Sequence, residues 1–234
     1  SEGIETRYCQ NPGCEQMQTR TVARLTAPSA PDKTEKDGYR TCRKDSTCPI
    51  EPYTDAVNTA WYHDGVHFCL ESGLMAGVSA ASFLPDGSVT RAQVVTILWR
   101  QEGRPAVNYA MQFKDVPAGE WFTEAVRWAV SSGVVTGYSD TAFGPNDTIT
   151  REQFAAILYR YAQYKGMDVS AGGDTDILGF DDAPSISAYA VPAIRWACGS
   201  GIISGVSART LAPQGLTSRA QAACMMQRFL TGVK

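Results

Sequence analysis

Three arginines stand in one recurring setting. They are Arg91 in Val89-Thr90-Arg91-Ala92-Gln93, Arg151 in Ile149-Thr150-Arg151-Glu152-Gln153, and Arg219 in Thr217-Ser218-Arg219-Ala220-Gln221. Each follows a Thr or Ser that a Gln answers three positions later. That is the capping box of a helix start, in which two side chains satisfy two orphan amides. The arginine therefore falls on the first helical position, where the helix dipole disfavours a cation. A guanidinium fork beside helix-start amides is an anion receptor, suited to a carboxylate or phosphate. The competing role is a structural ion pair, Arg151 with Asp115 or Arg91 with Asp55. Three copies of one surface site point to multivalent binding rather than to one catalytic centre.

The residues around the arginines keep the same register. An aromatic stands thirty residues before each: Trp61, Trp121 and Tyr189. Core packing and ligand contact are both open to these rings, since tryptophan is usually largely buried. Between aromatic and arginine, Val66, Val126 and Ile194 correspond, as do Gly77, Gly137 and Gly205, then Phe83, Phe143 and Leu211. Sixty residues separate Arg91 from Arg151 and sixty-eight separate Arg151 from Arg219, so the extra length lies between the second and third units. A period of this kind fixes a repeat architecture.

Other reactive side chains are sparse. Cys9, Cys14, Cys42 and Cys48 lie in the first 50 residues and suggest a small stapled module. Zinc and disulfides are equally open for them. The gaps are wider than C-x2-C knuckles, and disulfides would suit an extracellular chain. Cys69, Cys198 and Cys224 are expected as thiols within the repeats, with Cys69 and Cys198 buried on apolar helix faces. His63 and His67 stand four apart on a helix and could share a metal. Their counterparts are Thr123 and Arg127, then Val191 and Arg195, so the pair is expected to face solvent. Asp174, Asp176, Asp181 and Asp182 lack the spacing of a calcium loop and read as a solvated linker. No phosphate loop, nucleophile elbow or H-E-x-x-H helix is written here, so the chain reads as a non-enzyme without a cofactor, apart from the zinc option.

The elements that position these residues are helical. From Tyr53 onward, short helices alternate with turn-rich loops. One helix is predicted from about Thr123 to Ser131, ended by Gly133, and another from after Thr150 to about Lys165 with Phe154, Ile157, Leu158 and Tyr161 as its buried stripe. Residues 1–52 are rich in Pro, Thr and charge and read as an irregular module that leans on its cysteines. The units divide as 53–108, 109–173 and 174–234. The chain has 234 residues, 44% of them hydrophobic, with a net charge of −3 from 21 basic and 24 acidic side chains. That balance, without a basic run, excludes a nucleic-acid binder, and no apolar stretch is long enough for a membrane helix. The chain starts at Ser1 and reads as a piece of a longer protein.

These residues together resemble the S-layer homology domain family over about residues 53–234. The second unit is closest: Phe113-Lys114-Asp115-Val116, Trp121-Phe122, Gly133, Gly137, Phe143-Gly144-Pro145 and Ile149-Thr150-Arg151-Glu152-Gln153. The resemblance implies an all-α, pseudo-threefold spindle of three helix-loop-helix repeats with ligand grooves between units. It also implies non-covalent attachment of a bacterial surface protein to a secondary cell-wall polysaccharide on peptidoglycan, often one bearing pyruvate ketals. The location implied is extracellular, at the cell wall or S-layer. By matching position the groove candidates are Arg91, Arg151 and Arg219, Trp61, Trp121 and Tyr189, Gly77, Gly137 and Gly205, and Ser79, Ser139 and Ser207. A bidentate guanidinium matches a ketal carboxylate, and a tryptophan face suits the apolar side of a pyranose. Unit three departs furthest, with Tyr189, Leu211 and Thr217-Ser218, and its groove is expected to be the weakest. A protein-interaction or oligomerisation scaffold is the alternative function.

Overall fold

The computed structural model describes residues 3–8, 17–22 and 48–232. Two compact units emerge, residues 1–36 and residues 37–234. In the first, strands β1 (Gly3–Tyr8) and β2 (Met17–Val22) pair antiparallel, with Gly3 opposite Val22 and Tyr8 opposite Met17. The ladder is a difference from the irregular segment expected there. Backbone pairing needs no large core, which is how so polar a stretch can hold one. Cys9, Cys14 and Cys42 lie outside the described residues.

The second unit is helical. Its elements are α1 (His63–Glu71), α2 (Arg91–Gln101), α3 (Thr123–Ser131), α4 (Arg151–Tyr164), α5 (Val191–Gly199) and α6 (Arg219–Gly232). The capping boxes form as written: Thr90 with Gln93 and Thr150 with Gln153, and Ser218 exchanges the same bonds with Gln221. Gly133 ends α3 at φ +72°, a conformation that costs a residue with a Cβ.

The apolar stripes are not buried within a unit. α2 of the first unit packs on α3 of the second, α4 of the second on α5 of the third, and α6 of the third returns to α1 of the first. The backbone repeats this rotation at the centre. Ile149 donates its amide to the Val89 carbonyl (3.2 Å), Val89 donates to Thr217 (2.9 Å), and Thr217 donates to Ile149 (2.9 Å). All three residues are fully buried, so the pseudo-threefold axis carries a closed ring of hydrogen bonds. One continuous core surrounds it, including Phe83, Phe143, Phe154, Trp196 and Phe229.

Each unit also ties its own loop with a carboxylate. Asp55 accepts the amides of Phe83 and Leu84, Asp115 those of Phe143 and Gly144, and Asp182 those of Leu211 and Ala212. Of the repeat cysteines, Cys69 is fully buried at the place of Ala129, and Cys224 is buried on α6. Cys198 falls one position later, matching Val130, and is half-buried.

Candidate functional site

The arginines are held by the unit that follows their own. Arg91 donates from Nε to the Phe143 carbonyl (2.9 Å) and from Nη2 to Thr136 (2.8 Å). Arg151 does the same to Leu211 (2.9 Å) and Ser204 (2.8 Å), and Arg219 to Phe83 (2.7 Å) and Ala76 (2.6 Å). All three are buried, and burial lowers their pKa values. Among the described residues no carboxylate pairs with any of them. The ion pairs weighed from sequence, Arg151–Asp115 and Arg91–Asp55, are absent, because those carboxylates are committed to loop amides. The three buried cations are held by carbonyl dipoles, with aromatic faces over Arg91 and Arg219 and carboxylates acting from beyond contact distance.

The helix-start amides are not available either, which corrects the receptor drawn from sequence. Arg91 and Ala92 donate their amides to Asp147 and Pro145, Arg151 and Glu152 to Gly215 and Pro213, and Arg219 and Ala220 to Gly87 and Pro85. Carbonyls of the next unit fill the place an anion would take. What the arrangement leaves for a ligand is guanidinium, not backbone.

The aromatics complete grooves built from three units at once. Trp61 is 68% exposed, Trp121 56% and Tyr189 54%, so these rings are not core. Trp61 faces Arg151 of the second unit together with Ser204–Val206, Gln221 and Arg228 of the third, around about 270 Å³ of space. Trp121 faces Arg219 together with Ala76–Val78, Gln93 and Arg100 of the first unit, around about 180 Å³. Each groove therefore holds a second arginine on the helix behind the loop. Arg228 lies close enough to repel Arg151 and adds to the lowering by burial. Arg100, Arg160 and Arg228 stand nine residues after Arg91, Arg151 and Arg219. That register was readable, but a lone arginine late in an amphipathic helix looks like a solvated side chain.

The third position around the axis is different. Tyr138 occupies the place of Val78 and Val206, and its ring centre lies 4.3 Å from the Arg91 guanidinium carbon. Glu152 occupies the place of Ala92 and Ala220. It accepts from the Ser187 amide (3.0 Å), the Ser187 hydroxyl (2.7 Å) and the Tyr189 hydroxyl (3.2 Å). Burial and this carboxylate push the Tyr189 phenol up to about 12. The chain's own tyrosine covers the cation here, and a buried carboxylate stands beside it.

The glycines and serines shape the loops. A Cβ at Gly77, Gly137 or Gly205 would run into the ring of Tyr53, Phe113 or Phe180 and the carbonyl of Ser79, Ser139 or Ser207. Gly77 and Gly205 also line the two open grooves. The hydroxyls of Ser79, Ser139 and Ser207 accept the amides of Ala81, Thr141 and Arg209 (each 3.3 Å), closing a turn at the outer edge of each groove.

One further expectation is corrected. His63 and His67 are 0% and 6% exposed rather than facing solvent, and both approach Cys48. Cys48 carries a free thiol, so the cysteine nearest the repeats has histidine neighbours and no disulfide. The linker aspartates do not converge: Asp176 accepts the Leu178 amide, Asp181 pairs with Arg209, and Asp182 belongs to its loop clamp.

Comparison with known families supplies the deciding observation. The profile of the S-layer homology domain matches residues 52–95, 112–155 and 179–223, one match over each unit. The chain belongs to the S-layer homology domain family. An endoglucanase of Bacillus sp. (strain KSM-635) is 31% identical over 179 residues, which is 76% of this chain and 19% of that protein. The surface-layer 125 kDa protein of Lysinibacillus sphaericus is 28% identical over 176 residues, 73% of this chain and 14% of that protein. A cellulosome-anchoring protein of Acetivibrio thermocellus is 27% identical over 122 residues, 50% of this chain and 26% of that protein. This S-layer homology chain thus spans a small part of each of these curated relatives. Its third repeat keeps the architecture with altered parts: Leu211 fills the phenylalanine site, and Thr217 places a buried hydroxyl without a partner where Val89 and Ile149 stand.

Proposed function

We propose that this chain anchors a bacterial surface protein non-covalently to the cell wall by binding an anionic secondary cell-wall polysaccharide in the Trp61 and Trp121 grooves. The observation that carries the reading is the pairing, in each open groove, of two arginines from different units with an exposed tryptophan from the remaining one. A tryptophan face stacks on the apolar side of a pyranose while a guanidinium takes a planar carboxylate, so a sugar bearing an acidic ketal meets both needs. Nε and Nη2 of Arg151 and Arg219 are bound to carbonyls, and on this reading Nη1 is the donor that takes the ligand. The carbonyl bonds preorganise the fork, so little side-chain entropy is lost on binding. On this reading the chain lies outside the cell, at the wall or S-layer, and performs no catalysis. The names of its surface-layer and cellulosome-anchoring relatives agree with such a role.

The test is retention on purified cell-wall sacculi before and after acid removal of the secondary polymer. Retention should vanish with the polymer. Arg228→Ala and Trp61→Ala should each weaken binding by roughly 10–100-fold, the scale of one charge-assisted bond or one stacked ring. Retention that survives stripping would replace the polysaccharide with a protein partner.

A further inference from the structure

Away from the grooves, three metal-ligating side chains meet at one point. Cys48 Sγ lies 3.5 Å from His63 Nε2 and 3.7 Å from His67 Nδ1. All three atoms fall within 4.8 Å of one another, and all three residues are buried. We propose that Cys48, His63 and His67 bind a structural zinc ion.

The distances suit the metal. Zinc–sulfur and zinc–nitrogen bonds of about 2.3 and 2.0–2.1 Å at a tetrahedral angle place sulfur and nitrogen about 3.6 Å apart. A thiolate with two imidazoles is the donor set zinc favours, and His63 and His67, one turn apart on α1, present their rings to the same side with centroids 5.6 Å apart. The nitrogens facing away from the sulfur are oriented by carboxylates. His63 Nδ1 is 2.8 Å from Asp64 Oδ1, and His67 Nε2 is 3.6 Å from Glu71 Oε2. A carboxylate on the outer nitrogen fixes the tautomer that aims a lone pair inward, the arrangement around metal-bound histidines. Burial of all three ligands favours a closed, structural site over an open catalytic one.

The site belongs to the first repeat alone, since Thr123 and Arg127, then Val191 and Arg195, hold the histidine positions elsewhere. It clamps the residues before that repeat onto α1, immediately after the segment that carries Trp61. Of Cys9, Cys14, Cys42 and Cys48, it is Cys48 that enters this site among the described residues.

The test uses the full chain, purified without a histidine tag. Elemental analysis should find about one zinc per chain, released with chelator on unfolding. Replacement by cobalt should give the intense visible bands of a tetrahedral, thiolate-bound ion. Cys48→Ser should abolish those bands. If Cys48→Ser fails to fold, the wild-type cobalt spectrum still decides. A folded wild-type chain with no zinc after refolding in its presence, or with only the weak bands of octahedral cobalt, overturns the site.

Discussion

Replacing Arg151 with alanine separates architecture from recognition. Its side chain makes two charge-assisted bonds to carbonyls of the third unit, Leu211 at 2.9 Å and Ser204 at 2.8 Å. Such bonds contribute about 1.5–3 kcal/mol each, so their joint loss is worth about 3–6 kcal/mol. Leu211 is fully buried and its carbonyl is left without a donor, whereas Ser204 is exposed and water can replace the guanidinium there. The cost should therefore lie near the lower end, about 3 kcal/mol. For a domain of this size that corresponds to a fall in melting temperature of roughly 6–12 °C. Arg228→Ala is the matched control. It removes a charge from the same groove, but its residue is exposed and its one carbonyl contact, to Ile202, is long at 3.5 Å. That variant should melt within about 2–4 °C of wild type. The assay is thermal denaturation followed by circular dichroism and calorimetry on both variants. If Arg151→Ala melts with the wild type, the inter-unit bonds do not hold the ring, and the structural role of all three arginines is refuted.

Other outcomes follow from single residues. Trp61→Ala and Trp121→Ala should change stability by no more than about 0.5 kcal/mol because both rings are exposed, while wall binding falls; unchanged retention on sacculi would remove them from the site. Tyr138→Val should uncover Arg91 and raise the number of saccharide sites titrated by calorimetry from about two to about three, as in a multivalent array; an unchanged stoichiometry means Glu152 alone closes that groove. Thr217→Val should stabilise by about 1 kcal/mol in urea melts, since it removes an unpartnered buried hydroxyl without changing volume; destabilisation would show that the hydroxyl has a partner after all. Burial pushes the thiol of Cys69 up to about 12 and that of Cys224 up to about 11 from the ordinary 9.0. The unfolded chain releases these protons first, so the stability they contribute is complete below about pH 9 and declines up to about pH 12. A urea midpoint that stays level from pH 9 to 11 would contradict that burial.

The local parts of the fold were legible and the non-local ones were not. Thr90 with Gln93 marks a helix start within four residues, and Gly133 marks a helix end by itself, so the bounds of α3 and α4 could be read directly. Nothing in a periodic stripe says which neighbour it packs on. The exchange of helix partners between units, and the commitment of Arg91, Arg151 and Arg219 to the following unit, are properties of the closed ring. The same gap misplaced the free amides: a helix start looks open until another unit's Pro85, Pro145 or Pro213 carbonyl is set against it. His63 and His67 were misjudged by comparison with their counterparts in other repeats. A feature present in one unit only is invisible to a method that reads what recurs, and its partner, Cys48, lies before the first repeat begins.

The ring at Val89, Ile149 and Thr217 makes the number of repeats indivisible. A solenoid can lengthen or shorten by one unit, because each repeat meets only its neighbours along a line. Here the last unit is the neighbour of the first, so a chain with two units leaves a donor and an acceptor stranded at the axis, and a fourth finds no vacancy. Duplication during evolution, or fusion by an engineer, can therefore enlarge such an anchor only by whole triplets, each with its own axis and its own pair of open grooves.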